Sequence, residues 1–461
     1  MSYADFLRAK MVQAPTLGFE KARAEINPNL FDWQGDIDLW ALRKGRAALF
    51  EDCGLGKTIQ QLEWAQSVSE FTGSPVLILA PLAVADQTRR EGEKFGFSVN
   101  IAETAADVAP GVNVTNYEKL DKFDASRFAG VVLDESSILK AYTGVMKRKI
   151  VSAFSQTHYR LSCSATPAPN DLMELLNQAE FLGVMRSSEA LSCWFIADQS
   201  NAGHYRLRGH AEKDFWRWVS SWAVCVEKPS DIGYSDEGYI LPALSEEDVV
   251  VRSDEDTTFS LLPENLNMSA TGYHEEKRKT IRQRAEKCAE IVSGTDEQYL
   301  LWCYQNDEAD ALKALLPDAV EIRGSDKTER KEQAAVDFAE GKTRVLISKP
   351  SIFGYGLNFQ NCRNEVFCGL DYSFESYYQA IRRVYRFGQK QPVNVWRVIG
   401  ENEHTILNAI IRKAEQKRQM GASMAESVRE FQTEAVSGRK FKLDLTRREA
   451  QFPDWLEGET A

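Results

Sequence analysis

Residues 47–58 read AALFEDCGLGKT: an apolar run enters a glycine-rich turn, reaches Lys57 and Thr58, and opens onto helical sequence. A strand that passes so directly through glycines into a helix belongs to α/β architecture and has the layout of a phosphate-binding loop. Glycines such as Gly54 and Gly56 let backbone N–H groups turn toward an anion. The start of the following helix adds partial positive charge. Lys57 is placed to reach the β- and γ-phosphates of a nucleotide, and the Thr58 hydroxyl to ligate Mg²⁺. The position where a generic phosphate loop opens with glycine is Glu51. Read alone, the motif competes with a chance Gly-Lys-Thr turn.

Short apolar runs alternate with helical sequence along the rest of the chain, which predicts parallel sheet. The expected strands of the first half are Ala47–Phe50, Val76–Ala80, Val112–Thr115, Gly130–Leu133 and Tyr159–Ser162. A second series begins near residue 297, with Tyr299–Tyr304, Ala319–Ile322, Arg344–Ile347, Glu365–Cys368 and Val393–Val398. Two series of one rhythm predict two related lobes. The expected division is a first lobe over 1–235, a connector over 236–275, a second lobe over 276–420 and a tail over 421–461. The connector reading rests on Pro229, Gly233, Gly238, Pro242 and the acidic stretch near 245–256.

Val131-Val132-Leu133-Asp134-Glu135 is an apolar strand that ends in two acids, at the sheet edge where α/β ligands bind. Asp134 is the candidate metal holder. Glu135 is the candidate base that orients and deprotonates water. A helix-capping acid pair is the structural alternative. In the second half, YQAIRRVYRFGQ (378–389) places Arg382, Arg383 and Arg386 close together between Gln379 and Gln389. Arginines of this kind stabilise the charge that builds on a transferring phosphoryl group, provided the second lobe faces the first. A solvated basic helix is the alternative for this cluster alone.

The formal net charge of -12 excludes wholesale coating of nucleic acid and leaves room for a local basic groove. Eight cysteines include no C-x-x-C pair, so buried reduced thiols are expected rather than a metal or disulfide framework. The N-terminus lacks a signal-peptide core, and the longest apolar run, Val76 to Ala85, is too short for a membrane span. A soluble, cytoplasmic protein is expected. DFWRWVSSW (214–222) reads as helix packing through Phe215, Val219 and Trp222, with base stacking by Trp216 or Trp218 as the alternative. Lys277–Lys287 reads as a solvated amphipathic helix, with phosphate contact as the alternative.

These segments, in this order, resemble superfamily 2 helicases, and their spacing resembles the Swi/Snf-like branch of DNA translocases, in a compact form similar to bacterial or phage members. Phe31-Asp32-Trp33-Gln34 resembles the Q-motif, residues 51–58 motif I, and LILAPLAVADQ (77–87) motif Ia. Thr115-Asn116-Tyr117-Glu118 resembles motif Ib, residues 133–137 motif II, and Ser162-Cys163-Ser164-Ala165-Thr166-Pro167 motif III. ISKPSIFGYGLNFQNC (347–362) resembles motif V, with Gly356, Leu357 and Asn358 at its core, and 379–389 resembles motif VI. Gly324 and Arg330 lie in a stretch like the one that precedes motif V. Arg382 stands where the family usually has a small or acidic residue. Ser137 stands where motif II usually ends in His or Asp.

The resemblance implies two tandem RecA-like P-loop lobes, each a mostly parallel sheet flanked by helices, with an ATP cleft between them. It implies ATP and Mg²⁺ as ligands. Gln34 would read the adenine, and Gly54, Gly56, Lys57, Thr58, Gly356 and Asn358 would join in holding the nucleotide. Thr58 and Asp134 would hold the metal, and Lys57, Glu135, Arg383 and Arg386 would act in catalysis. The implied activity is an ATP-driven motor, a DNA helicase or translocase on double-stranded DNA without sequence preference. The rival readings are a motor subunit of a restriction or repair nuclease complex with a protein partner, an RNA helicase, and a catalytically silent DNA-binding scaffold.

Overall fold

The computed structural model describes residues 13–81, 84–141, 144–169, 171–197, 205–252, 277–353 and 358–437. The first sheet is built from β1 (Arg46–Glu51), β2 (Val76–Ala80), β3 (Val99–Ile101), β4 (Val112–Asn116), β5 (Gly130–Asp134) and β6 (Tyr159–Cys163). A small antiparallel ribbon, β7 (Phe195–Ala197) and β8 (Tyr205–Leu207), stands apart from it. The seventh strand of the sheet is β9 (Ala223–Val226), and the order is β3-β4-β2-β5-β6-β1-β9 with every pairing parallel. Central strands such as β2, VLILA, are buried along their whole length. Helices cover both faces, which is why these strands are continuously apolar rather than alternating.

The second sheet contains β10 (Leu244–Val251), β11 (Tyr299–Cys303), β12 (Val320–Glu321), β13 (Val345–Ser348), β14 (Asn364–Cys368) and β15 (Val393–Gly400). Its order is β10-β15-β14-β11-β13-β12, again wholly parallel. Each sheet has its own apolar core on each face. The chain is therefore α/β with two parallel-sheet lobes, and all ten strands expected from the apolar rhythm have a counterpart.

Register positions the chemistry. Leu49 of β1 and Asp134 of β5 both lie opposite Cys163 of β6. The turn that follows β1 and the acids that end β5 thus emerge side by side at the carboxyl edge, separated by one strand.

Three expectations need correction. The connector read over 236–275 contains β10, which pairs residue for residue with β15 and so belongs to the second sheet. Its acids are not linker composition: Glu246 and Asp248 accept from Arg397 of β15 at 3.1 and 2.5 Å. Residues 253–275 of that stretch lie outside the described residues. The boundary at 420 falls inside one helix, His404–Ser437. This helix leaves the end of β15 and crosses to the first lobe, where Met424 and Val428 join the core beside Trp216 and Trp218. The basic stretch 277–287 is not simply solvated. Arg284 is fully buried and donates to Glu308 at 2.7 Å and to the Cys368 carbonyl at 2.9 Å.

The tryptophan-rich stretch is core. Trp216, Trp218 and Trp222 are buried, and Trp218 stacks on Trp194 at 4.5 Å, so neither Trp216 nor Trp218 is available to stack on a base. All eight cysteines are unpaired. Among the described residues no helix is long and apolar enough to cross a membrane.

The crossing helix is fastened to edge strand β9 by Gln432, whose buried amide accepts from the Cys225 N–H and donates to the Cys225 carbonyl, both at 3.0 Å. It substitutes for a neighbouring strand. Gln432→Ala leaves both backbone groups without this partner and is expected to cost about 1–3 kcal/mol, read as a lower urea midpoint with an unchanged slope. An unaltered midpoint would show that the helix is not held there.

Candidate active site

The turn after β1 needs its glycines for two separate reasons. Gly54 and Gly56 have φ of 87° and 83°, in the left-handed region. A Cβ at Gly56 would also stand 2.3 Å from the Gln34 amide nitrogen. That amide is buried behind the turn. Its nitrogen donates to the Leu55 carbonyl at 2.7 Å and its oxygen accepts from the Phe31 N–H at 2.9 Å. Gln34 therefore braces the phosphate loop from behind rather than facing the cavity. Lys57 begins the helix Lys57–Thr72, and its ammonium donates to the carbonyls of Glu51 (2.7 Å) and Asp52 (3.0 Å).

Beside it, Asp134 accepts from Gln61 of the same helix at 2.8 Å, and its carbonyl accepts from the Tyr117 hydroxyl at 2.7 Å. Glu135 is the one non-glycine at positive φ (56°) among the described residues. Strained backbone at the candidate base is typical of residues whose side-chain aim matters. One of its oxygens accepts from Gln379 across the cleft at 3.3 Å. The other is buried and has no partner among the described residues.

The second lobe presents the helix Phe374–Ile381 and the turn after it. Arg383 donates to the Gln379 carbonyl and to the Gln379 side-chain oxygen, at 3.0 and 3.1 Å. Arg382 reaches into the phosphate loop, donating to the Asp52 carboxylate at 2.6 Å and the Cys53 carbonyl at 2.8 Å. The Tyr378 hydroxyl also donates to Asp52, and Lys417 of the long helix lies 3.7 Å from it.

A cavity of about 750 Å³, open to solvent on one side, is thereby formed at the lobe boundary.

 Lys57, Thr58, Asp134 and Glu135 line it from the first lobe, and Arg383 and Arg386 from the second. Gly54, Gly56 and Arg382 also face it. Burial, with Asp134 alongside, pushes the Glu135 carboxyl up to about 7, and burial also raises Asp134. Burial, reinforced by Arg383, brings the Arg386 guanidinium down to about 10. Asp52 behaves oppositely: burial alone would raise it, but Arg382 and Lys417 together hold it below the usual carboxylate range. A cavity with one lysine, several arginines and a helix N-terminus suits a triphosphate. The Thr58 hydroxyl and the Asp134 carboxylate are oxygen donors of the kind Mg²⁺ takes, and the unpartnered Glu135 oxygen suits a water.

One expected nucleotide contact is not brought there. Asn358 is exposed and lines a separate hollow with Gln360 and Arg363. Gly356 and Leu357 lie outside the described residues. In return, Asp52, Gln61 and Tyr378 take part without having been singled out in the sequence. Gln61, one helical turn after Lys57, was the most readable of them.

A second hollow of about 1980 Å³ also lies between the lobes. The stretches resembling motifs Ia and Ib supply Gln87 and Asn116, with Arg90 and Lys119 just beyond them, and the second lobe supplies Lys331, Ser351 and Ile352. Arg90 and Glu332 meet across it at 2.9 Å.

Fold and site together define a two-lobe α/β protein with a P-loop-like turn at the cavity between its sheets. Residues 283–388 match the helicase conserved C-terminal domain family. Over 94% of its length the chain is 23% identical to the DNA annealing helicase and endonuclease ZRANB3 of Mus musculus, covering 43% of that protein. It is 27% identical over 177 residues, 36% of the chain and 19% of the relative, to the SWI/SNF-related matrix-associated actin-dependent regulator of chromatin subfamily A-like protein 1 of Xenopus tropicalis. It is 29% identical over 177 residues, 33% of the chain and 15% of the relative, to the ISWI chromatin-remodeling complex ATPase ISW2 of Saccharomyces cerevisiae. The chain thus spans less than half the length of these relatives. In these matches the chain is similar to superfamily 2 helicases of the Swi/Snf-like branch.

Glu51, at the head of the phosphate loop, is fully buried, and burial pushes its carboxyl from 4.5 up to about 7 in spite of Lys57 and Gln60. A carboxyl with a higher pKa folded than unfolded binds its proton more tightly in the folded chain. Its contribution is therefore full below the unfolded value and is lost as pH rises through about 7. Glu51→Gln is expected to gain stability relative to the native chain between pH 5.5 and pH 8, by about 2 kcal/mol. Urea unfolding at the two pH values reads the difference, and an equal difference at both would refute the shift.

Proposed function

We propose that the protein is a DNA-stimulated ATP hydrolase that uses the cleft to move along double-stranded DNA without sequence preference. The observation that carries this reading is the single cavity in which Lys57, Thr58, Asp134 and Glu135 meet Arg383 and Arg386 from the other lobe. Lys57 leaves the loop carbonyls and takes the β/γ-phosphates, while the backbone N–H groups of the turn hold the rest of the chain of phosphates. Thr58 and Asp134 would hold Mg²⁺, which when bound neutralises phosphate charge and orients the β- and γ-oxygens. Glu135, with a pKa near neutrality, orients the attacking water and accepts its proton. Arg383 and Arg386 stabilise the charge that grows on the γ-phosphate oxygens. Because the arginines belong to the second lobe, the phosphate charge they meet draws the lobes together, and product release relaxes them.

That relative motion acts on the second hollow. Arg90 and Lys119 on one wall and Lys331 on the other would grip a phosphate backbone, a contact that carries no sequence information. The acids interleaved with them, Glu103 and Glu332, are displaced by nucleic acid, which agrees with an acidic chain binding DNA only locally. The double-stranded preference is supported by the likeness to the Swi/Snf-like relatives.

Lys57→Ala and Glu135→Gln are each expected to lower the ATP hydrolysis rate by at least about 10²-fold while the far-UV circular dichroism spectrum stays unchanged. Duplex DNA should raise the native rate above that with single-stranded DNA or RNA, and the apparent DNA affinity should fall steeply between 50 and 200 mM salt, on the order of tenfold or more. Greatest stimulation by RNA would favour an RNA helicase. Hydrolysis at background levels with every nucleic acid would favour a silent scaffold or a motor that needs its protein partner.

A further inference from the structure

Ser137 departs from the acid or imidazole expected at the end of motif II, and the structure shows where its hydroxyl goes. It donates to Glu375 in the second lobe at 2.6 Å. The other Glu375 oxygen accepts from Lys140 at 2.5 Å. Glu375 lies in the first turn of the helix Phe374–Ile381, one turn before Gln379, on the same face. Gln379 in turn contacts Glu135 and holds Arg383. Residues 375, 379 and 383 therefore place an anchor, a contact to the candidate base and a candidate finger arginine in one row.

The receptor is as well braced as the anchor. Ser137 sits in the short 3-10 turn Ser136–Leu139, directly after the strained Glu135. Gln178 donates to the Ser136 carbonyl at 3.0 Å, and Asn177 to the Leu139 carbonyl at 2.9 Å. A pull on Ser137 is thus opposed from the other side of the turn that Glu135 enters.

We propose that Glu375 is a positioning residue, through which the second lobe grips motif II at Ser137 and aims Glu135 in the cleft. The proposal rests on the ATP-hydrolase reading of that cleft. An ordinary surface ion pair is the competing explanation, and it accounts for only half of the contact. Lys140 is 43% exposed, so its bond to Glu375 contributes little. Ser137 is buried, and a short hydrogen bond from a buried hydroxyl to a carboxylate is the stronger kind. Among the described residues neither side chain lines the phosphate cavity, so the grip bears on the chemical step and not on nucleotide binding.

The test is steady-state ATP hydrolysis by the full chain with saturating duplex DNA. Glu375→Ala and Ser137→Ala should each lower kcat about tenfold or more, as small misplacements of catalytic groups do, with the KM for ATP within about twofold of native. The double variant should be no worse than either single one, because both remove one interaction. Ser137→Thr, which keeps the hydroxyl, should recover most of the rate. Native kcat in the single variants, multiplying losses in the double variant, or a Ser137→Thr rate as low as that of Ser137→Ala would each overturn the proposal. A native chain that hydrolyses no ATP would instead sink the motor reading. The grip is then decided by hydrogen exchange of the nucleotide-free chain: Glu375→Ala should speed exchange of the amides in 135–141 about tenfold, and unchanged exchange there overturns it.

Discussion

The seating of one short helix, Phe374–Ile381, against the first lobe is the contact on which the cleft depends. At one end Glu375 reaches the turn after Glu135, and at the other Arg382 and Tyr378 reach Asp52 in the phosphate loop. Arg382 and Asp52 are both largely buried. Removing one partner of a buried pair typically costs ~3–5 kcal/mol, although the intact pair adds little net stability because both charges were desolvated to make it. The pair therefore sets geometry more than stability: a P-loop that loses Arg382 retains a buried carboxylate at its rim. The long helix His404–Ser437 supports the same alignment, since it leaves the second sheet, brings Lys417 beside Asp52, and packs into the first-lobe core.

Electrostatics follow from that seating. Closing two lobes over acids and arginines removes water from both. Burial raises Glu135 and lowers Arg386, so each is shifted toward its uncharged form. An incoming triphosphate with its metal reverses the balance for the arginines, whose charged form it favours. The site is thus more comfortable with a polyanion than without one, which is a physical reason for nucleotide to favour closure under the proposed function.

Much of this was legible in the sequence because the information was local. Apolar runs marked ten of the strands, and the Gly-Lys-Thr turn and the Asp134-Glu135 pair lay at strand ends, where register brings them together. The arginines could be named from their cluster, but not their division of labour. Arg382 looked out of place until its partner, Asp52, was found 330 positions away. β10 was read as connector because its acids resemble solvent-exposed linker, whereas Arg397 on the next strand accounts for them. β9 is only four residues long and follows a tryptophan-rich helix, so it offered no alternation to read. Gln34 was expected at the adenine, yet its amide is engaged by backbone groups that no pattern could have revealed.

The central claim is that one nucleotide is worked on by both lobes. The most direct measurement is single-turnover ATP hydrolysis by the Arg386→Ala chain, set beside its affinity for a non-hydrolysable ATP analogue. A cleft shared by the lobes predicts a rate reduced by about 10³-fold or more with analogue affinity close to native. A native rate in that variant would mean that the second lobe takes no part in the chemistry, and would contradict the account.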